Sequence, residues 1–423
     1  MARARKLSDE LVVSMGRTAP NRQIPVIVRY SPNRVVMRAK GPALPGVSES
    51  YNYRLAPLAH MHATPQALQS LSRDPEIVRI YRDLPVRALM DTASRIVRVP
   101  EVLRMGVDGS GVRIAVIDTG VDLHHPDFHG RIAEAVDLVG EGPNDQNGHG
   151  THCAGVALGS GIASAGRYRG IAPGALLYAA KALHRNGQGM MSDVMAGIEW
   201  AVEHKVQIIS LSLGGPGSSD GHDALSDICD AAVAAGVVVV VAAGNDGPGS
   251  STIGSPGAAR RVITVGATDD TDTIASFSSR GPTADNRVKP DVVAPGHRIA
   301  AARARNTELG TPVDPYYTEL SGTSMATPLV AGVCALILAR EPGLSPEQVK
   351  ARLMNTAIDL QQHPCLQGRG RVDALRAVWN DKGRAPSRPQ PQPQPQKPAP
   401  QAPSGCLTSI TASLRRALYR RRR

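Results

Sequence analysis

The sequence predicts an α/β fold, a mostly parallel sheet with helices on both faces, preceded by a small α+β unit. Three observations carry this. From Val112 onward, short runs of Val, Ile, Leu and Ala alternate with helix-like segments, the pattern of right-handed βαβ units and a parallel sheet buried on both faces. The run 329–340 is apolar on nearly every side, which predicts a buried helix. Asp118, Ser212 with Gly214, and Asn245 each follow an apolar strand-like run, and such sheets bind ligands beyond the carboxyl ends of their strands.

The elements follow in order. Residues 1–20 read as a loose leader. Residues 24–30 (IPVIVRY) read as a strand whose Pro25 sits near its start, where a missing N–H is tolerated. Thr64 and Pro65 are placed as the N-cap and first position of a helix. Residues 77–81 and 84–86 read as short strands broken by a turn. In the larger part, 112–117, 176–181, 206–212 and 237–241 read as strands. Helices are expected at 192–204 and 224–235 and from Ser345-Pro346-Glu347-Gln348 onward, and residues 368–378 close the domain. The Pro-Gln repeats of 384–404 predict an extended linker. The stretch 405–423 has apolar residues at 407, 410, 414 and 418 and six arginines from Arg415 on, a basic amphipathic tail. Domain boundaries are expected at 1–95, 96–383, 384–404 and 405–423.

The 423 residues carry a net charge of +11, unevenly spread: about +8 over 1–95, about −6 in the centre and about +9 from 384 on. A mildly acidic central domain argues against specific nucleic-acid binding. The basic tail suits an anionic membrane, nucleic acid without sequence specificity, an acidic partner or a solubilising extension. Five widely spaced cysteines suggest free thiols, with room for one bridge involving Cys365. No apolar run reaches the roughly 18 residues that cross a bilayer, and Leu11-Val12-Val13 is too short for a signal-peptide core. A cytoplasmic protein, or one exported by a non-standard route, is expected.

Ser324 lies in Ser321-Gly322-Thr323-Ser324-Met325-Ala326, just ahead of the apolar run. One reading makes it a helix cap. The other makes it a nucleophile, which needs a base and a carboxylate to orient that base. Asn147-Gly148-His149-Gly150-Thr151-His152 supplies a histidine and Asp118 a carboxylate. The chain order Asp, His, Ser is one of those known for such triads. An Asn at a strand end can donate to an oxyanion.

These segments resemble the subtilisin-like serine proteases: Val116-Ile117-Asp118-Thr119-Gly120, His149-Gly150-Thr151-His152 and Gly322-Thr323-Ser324-Met325-Ala326-Thr327-Pro328, with Ser212-Leu213-Gly214-Gly215 and Ala243-Gly244-Asn245 between them. Lys289-Pro290-Asp291-Val292-Val293-Ala294-Pro295-Gly296 resembles the family's segment ahead of the serine. The resemblance implies a subtilisin-like fold over about 112–377 and a serine endopeptidase. It makes Ser324 the nucleophile, His149 the base, Asp118 its partner and Asn245 the oxyanion donor.

The resemblance also implies that substrate pairs as a strand with Gly187, Gly189, Ser212, Leu213 and Gly214, and that Gly254 and Asp246 line the primary pocket. Cys153 after the histidines resembles the proteinase K-like branch and implies a thiol near His149, open to mercurials. Asp127 matches a calcium ligand, but residues 159–169 contain no acid, so calcium binding there is doubtful and no cofactor is required. The first 95 residues resemble a prodomain, removed by self-cleavage between about Arg87 and Arg95. An inactive protease-fold binding protein and an acyl or ester hydrolase are the alternatives.

Overall fold

The computed structural model describes residues 6–31, 45–52, 58–83, 91–215 and 217–381. The expected strand at 84–86, residues 87–90 of the cleavage window, Cys406, the linker and the tail lie outside them. The chain divides into two compact units, Met1–Leu89 and Met90–Arg423.

In the first unit, α1 (Asp9–Arg17), β1 (Ile24–Tyr30), β2 (Val47–Asn52), β3 (Leu58–Ala63), α2 (Pro65–Leu71) and β4 (Ile77–Arg82) form an antiparallel sheet of order β2-β3-β1-β4 with two helices. Thr64 caps α2 by accepting from the Ala67 N–H at 3.3 Å. Three features depart from the sequence reading, strand β2 over Val47–Asn52 being one. The leader contains a helix, because Ser8 accepts from the Leu11 N–H and Leu11 is fully buried in this unit's core. The extra strand β3 buries Ala59, Met61 and Ala63 on one face, a period-2 pattern that its two histidines disguise.

The second unit opens with two short helices, α3 (Asp91–Ile96) and α4 (Val99–Arg104). Its centre is a seven-stranded, all-parallel sheet. The strands are β5 (Arg113–Asp118), β6 (Ile132–Asp137), β7 (Leu176–Lys181), β8 (Ile208–Leu211), β9 (Val238–Ala242), β10 (Ile263–Thr268) and β11 (Val292–Pro295). Their spatial order is β11-β10-β9-β8-β5-β7-β6. Strand alternation divides the core. Ile114, Val116, Val238 and Val240 face one cluster, with α5 (His149–Leu158) and α8 (Thr323–Arg340). Ala115, Ile117, Val239 and Val241 face the other, with α6 (Met191–Glu203) and α7 (Ala224–Ala234). A small antiparallel sheet of β12 (Ile299–Ala302), β13 (Thr311–Pro312) and β14 (Tyr317–Leu320) adjoins α5. Helices α9 (Pro346–Thr356), α10 (Pro364–Gln367) and α11 (Ala374–Trp379) close the unit.

Helix α8 has the 18 residues and hydropathy of a membrane span, but it is a buried core helix. Among the described residues Cys153, Cys229, Cys334 and Cys365 are free thiols.

Candidate active site

Three strand ends and two helix starts meet at one edge of the parallel sheet. Asp118 is the last residue of β5 and is fully buried. His149 is the first residue of α5, and its Nδ1 lies 2.8 Å from Asp118 Oδ1. The approach is set by Gly150: a side chain there would begin 2.1 Å from the Gly120 carbonyl and 3.1 Å from Asp118 Cβ. Only a glycine lets the helix rest on the Asp118 turn.

Ser324 is the second residue of α8, whose N-cap is Gly322. Its hydroxyl does not cap the helix; it donates to the Ser212 carbonyl at 3.1 Å rather than to His149. Pro328, inside α8, has no N–H to return to the carbonyl four residues earlier, which is that of Ser324. The freed carbonyl accepts from the Ser212 hydroxyl at 2.8 Å and from the Cys153 thiol at 3.4 Å. Ser212 thus holds Ser324 by a reciprocal pair of hydrogen bonds.

Asn245 follows β9. Its Oδ1 accepts from the Thr323 N–H at 2.9 Å and the Thr323 hydroxyl at 3.0 Å, which fixes the amide orientation and leaves Nδ2 as a free donor. A Cβ placed on Gly322 would lie 3.4 Å from Asn245 Nδ2 and 3.5 Å from the Ser324 N, so the two nitrogens flank the same glycine beside Ser324.

His149, Ser212, Asn245, Thr323 and Ser324 line a cleft of about 870 Å³. Gly187, Gly189, Leu213 and Gly214 line it too. Gly254 also lines it, where a Cβ would stand 2.3 Å from the Gly215 carbonyl oxygen, too close for any other residue without a backbone shift. Asp246 lines the same cleft, exposed.

The electrostatics separate the two histidines. Burial opposes a charged His149, but the Asp118 carboxylate, with a further contribution from Cys153, holds the pKa well above the ordinary 6.5. His152 is fully buried, and burial drives its pKa down to about 3. Its Nε2 is engaged by the Ile299 and Thr318 carbonyls at 2.8 and 3.1 Å, so it is a neutral tie between α5 and the antiparallel sheet. Burial pushes the Cys153 thiol up as well, which keeps it an S–H donor rather than a thiolate.

Asp127 lies elsewhere, among a different set of groups. Its two carboxylate oxygens accept from the Tyr317 hydroxyl at 3.0 and 2.9 Å, and Oδ1 also accepts from the Ala163 N–H at 3.2 Å. The Arg131 guanidinium donates to the carbonyls of Leu158 (2.6 Å), Ala175 (3.3 Å) and Asp127.

Three residues were not singled out from the sequence. Thr323 orients Asn245, and Thr119 and Asp145 tie the Asp118 turn to α5. Thr119 and Thr323 lie inside quoted motifs; Asp145 had only its nearness to His149 as a signal.

Residues 109–383 match the Subtilase family, Peptidase S8. Serine protease AprX of Bacillus subtilis (strain 168) is 44% identical over 343 residues, 74% of this chain and 77% of that protein. Subtilisin DY of Bacillus licheniformis is 41% identical over 268 residues, 63% and 90% of the respective chains. The crystal structure of a cold adapted subtilisin-like serine proteinase superimposes with a TM-score of 0.51 at 35% identity, covering 63% of this chain and 88% of that one. With the sheet, the cleft and these relatives together, the chain belongs to the subtilase family and is a serine endopeptidase acting on peptides or proteins.

Proposed function

We propose that this endopeptidase cleaves through Ser324, His149 and Asp118, and that it is made as a self-processing zymogen. The observation that carries the first part is convergence: the His149–Asp118 bond, the Ser324 hydroxyl and two N–H donors open into one cleft. A peptide pairs between 187–189 and 212–214, whose backbones take it as an added strand. As the Ser324 oxygen attacks the scissile carbonyl, its proton passes to His149 Nε2, and Asp118 stabilises the resulting imidazolium. The oxyanion receives the Asn245 Nδ2 and Ser324 N–H donors. His149 then gives its proton to the leaving amine, and water, deprotonated by the same imidazole, releases the acyl group from Ser324.

The N-terminal unit, with about +8 of charge against about −6 on the catalytic part, supports the prodomain reading through electrostatic complementarity. The test is mass spectrometry of purified wild type beside Ser324→Ala, with a casein assay. Wild type is expected to be shortened near residues 87–95 and active, the variant full length and inactive. Casein hydrolysis by Ser324→Ala would overturn the nucleophile; processing by that variant alone would overturn self-cleavage.

The Asp127 loop reads as closed without calcium. Tyr317 occupies the carboxylate, no acid is present in 159–169, and the Arg131 guanidinium supplies a fixed positive charge that repels a second cation.

A further inference from the structure

Asp145 lies in the loop before α5, is 5% exposed and does not line the cleft. Its Oδ1 accepts from the Thr119 hydroxyl at 2.9 Å, the Asn147 N–H at 3.0 Å and the Gly148 N–H at 2.8 Å. Its Oδ2 accepts from the Thr151 N–H at 2.9 Å and the Thr151 hydroxyl at 2.7 Å. Five donors fill a buried carboxylate, and they lie on both sides of His149. The Thr119 side of this set reaches Asp118 directly: the Thr119 N–H donates to Asp118 Oδ1 at 2.7 Å, and the Thr119 hydroxyl accepts from the Gly150 N–H at 2.9 Å.

We propose that Asp145 is a positioning residue for the Asp118–His149 pair: one carboxylate binds the turn carrying Asp118 and the helix start carrying His149, and so fixes the Nδ1–Oδ1 contact. This rests on the reading of those two residues as catalytic. The reasons are geometric. Asp118 and His149 belong to different elements, 31 residues apart, and the pair holds only while β5 and α5 keep their relative placement. Packing at Gly150 prevents the two from coming closer; Asp145 prevents them from parting. An anion at the amino end of α5 also suits the helix dipole and its unpaired N–H groups. An amide at 145 could accept on one oxygen only, and its NH₂ would face the donors of Thr119 or Thr151.

The experiment compares Asp145→Asn, Thr119→Val, Thr119→Ser and the double variant Asp145→Asn/Thr119→Val in the full-length chain. Active sites are counted with a phosphonofluoridate, which phosphonylates the active serine and releases one fluoride per site. Asp145→Asn is expected to lower kcat per titrated site about 10- to 100-fold, the scale of a misplaced catalytic group, with KM changed less than about twofold. The downfield NMR signal of the His149 Nδ1 proton should move or broaden. Thr119→Val should do the same to a smaller degree, Thr119→Ser should recover what valine loses, and the double variant should lose less than the product of the two single effects. Unchanged kcat per site and an unmoved Nδ1 proton, with only a lowered Tm, would overturn the proposal by making Asp145 a fold-stabilising group. If Asp145→Asn does not fold, the Thr119 pair decides by the same readouts. Activity abolished by Ser324→Ala but untouched in these variants sinks this proposal alone; activity surviving Ser324→Ala sinks the triad reading beneath it.

Discussion

The two ends of α5 solve one problem by opposite means. A helix leaves its first N–H and last C=O groups without internal partners. At the amino end the N–H groups of Gly148, His149, Gly150 and Thr151 are taken by the side chains of Asp145, Asn147 and Thr119. At the carboxyl end the carbonyls of Gly155, Val156 and Ala157 are taken by the backbone N–H groups of Gly159, Ile171 and Ala172, and that of Leu158 by Arg131. Anion at one end and cation at the other both complement the dipole. The end bearing His149 is assembled from adjustable side chains. The far end is sewn to a returning segment of main chain. Chemistry sits where single side chains set the geometry; endurance sits where the backbone does.

The largest expected effect comes from breaking the chemical end. Asp118→Asn should lower kcat on the order of 10⁴-fold, as loss of the orienting carboxylate does in such triads, measured per titrated site on a peptide anilide. A variant retaining a tenth of wild-type kcat would remove Asp118 from the triad. Asn245→Ala should lower kcat by roughly 10²–10³ with little change in KM; that magnitude is the one known for subtilisin itself rather than read from this geometry.

The pH profile sharpens the same end. Because Asp118 raises the His149 pKa, kcat/KM should climb with pH through a midpoint above 6.5, the imidazole being a base only when neutral. The sign for stability is opposite: the raised pKa contributes stability that is complete below the unfolded-state value and is lost as pH rises through the folded one. A midpoint at or below 6.5 would show that burial outweighs Asp118.

At the enduring end, Arg131→Met should lower stability by about 2–4 kcal/mol, since it orphans carbonyls costing about 1–3 kcal/mol each, while leaving kcat per titrated site unchanged. Denaturant unfolding followed with titrated activity checks both halves. The smallest effect is expected from chelation: EDTA should leave the wild-type unfolding midpoint within about 1 °C. A drop of several degrees, reversed by calcium, would contradict the Asp127–Tyr317–Arg131 reading.

How much of this was legible in the residues depended on how local the cause was. The parallel sheet showed itself because strands buried on both faces are continuous apolar runs, as in Val237 to Val241. Thr64 and Pro65 announced α2 because capping is decided within four residues. Asp118, His149, Ser324 and Asn245 stood out by residue type at strand ends and helix starts. Strand β3 was hidden because its half-buried alternate positions include His60 and His62, which mimic a polar loop. Helix α1 was hidden because Leu11 needs a core from distant segments to be worth burying. Asp145 was hidden for a related reason: its donors come from two elements that only the folded sheet brings together. The orientation of Asn245 by Thr323 likewise links residues 78 apart.

The missing N–H of Pro328 has a mechanical consequence. It leaves the Ser324 carbonyl to be held by Ser212, just past β8, and by Cys153 of α5 instead of by its own helix. With the Ser324 hydroxyl donating back to the Ser212 carbonyl, the start of α8 is moored to the end of a sheet strand 112 residues earlier in the chain, and the placement of that hydroxyl depends on the strand end as well as on its own helix.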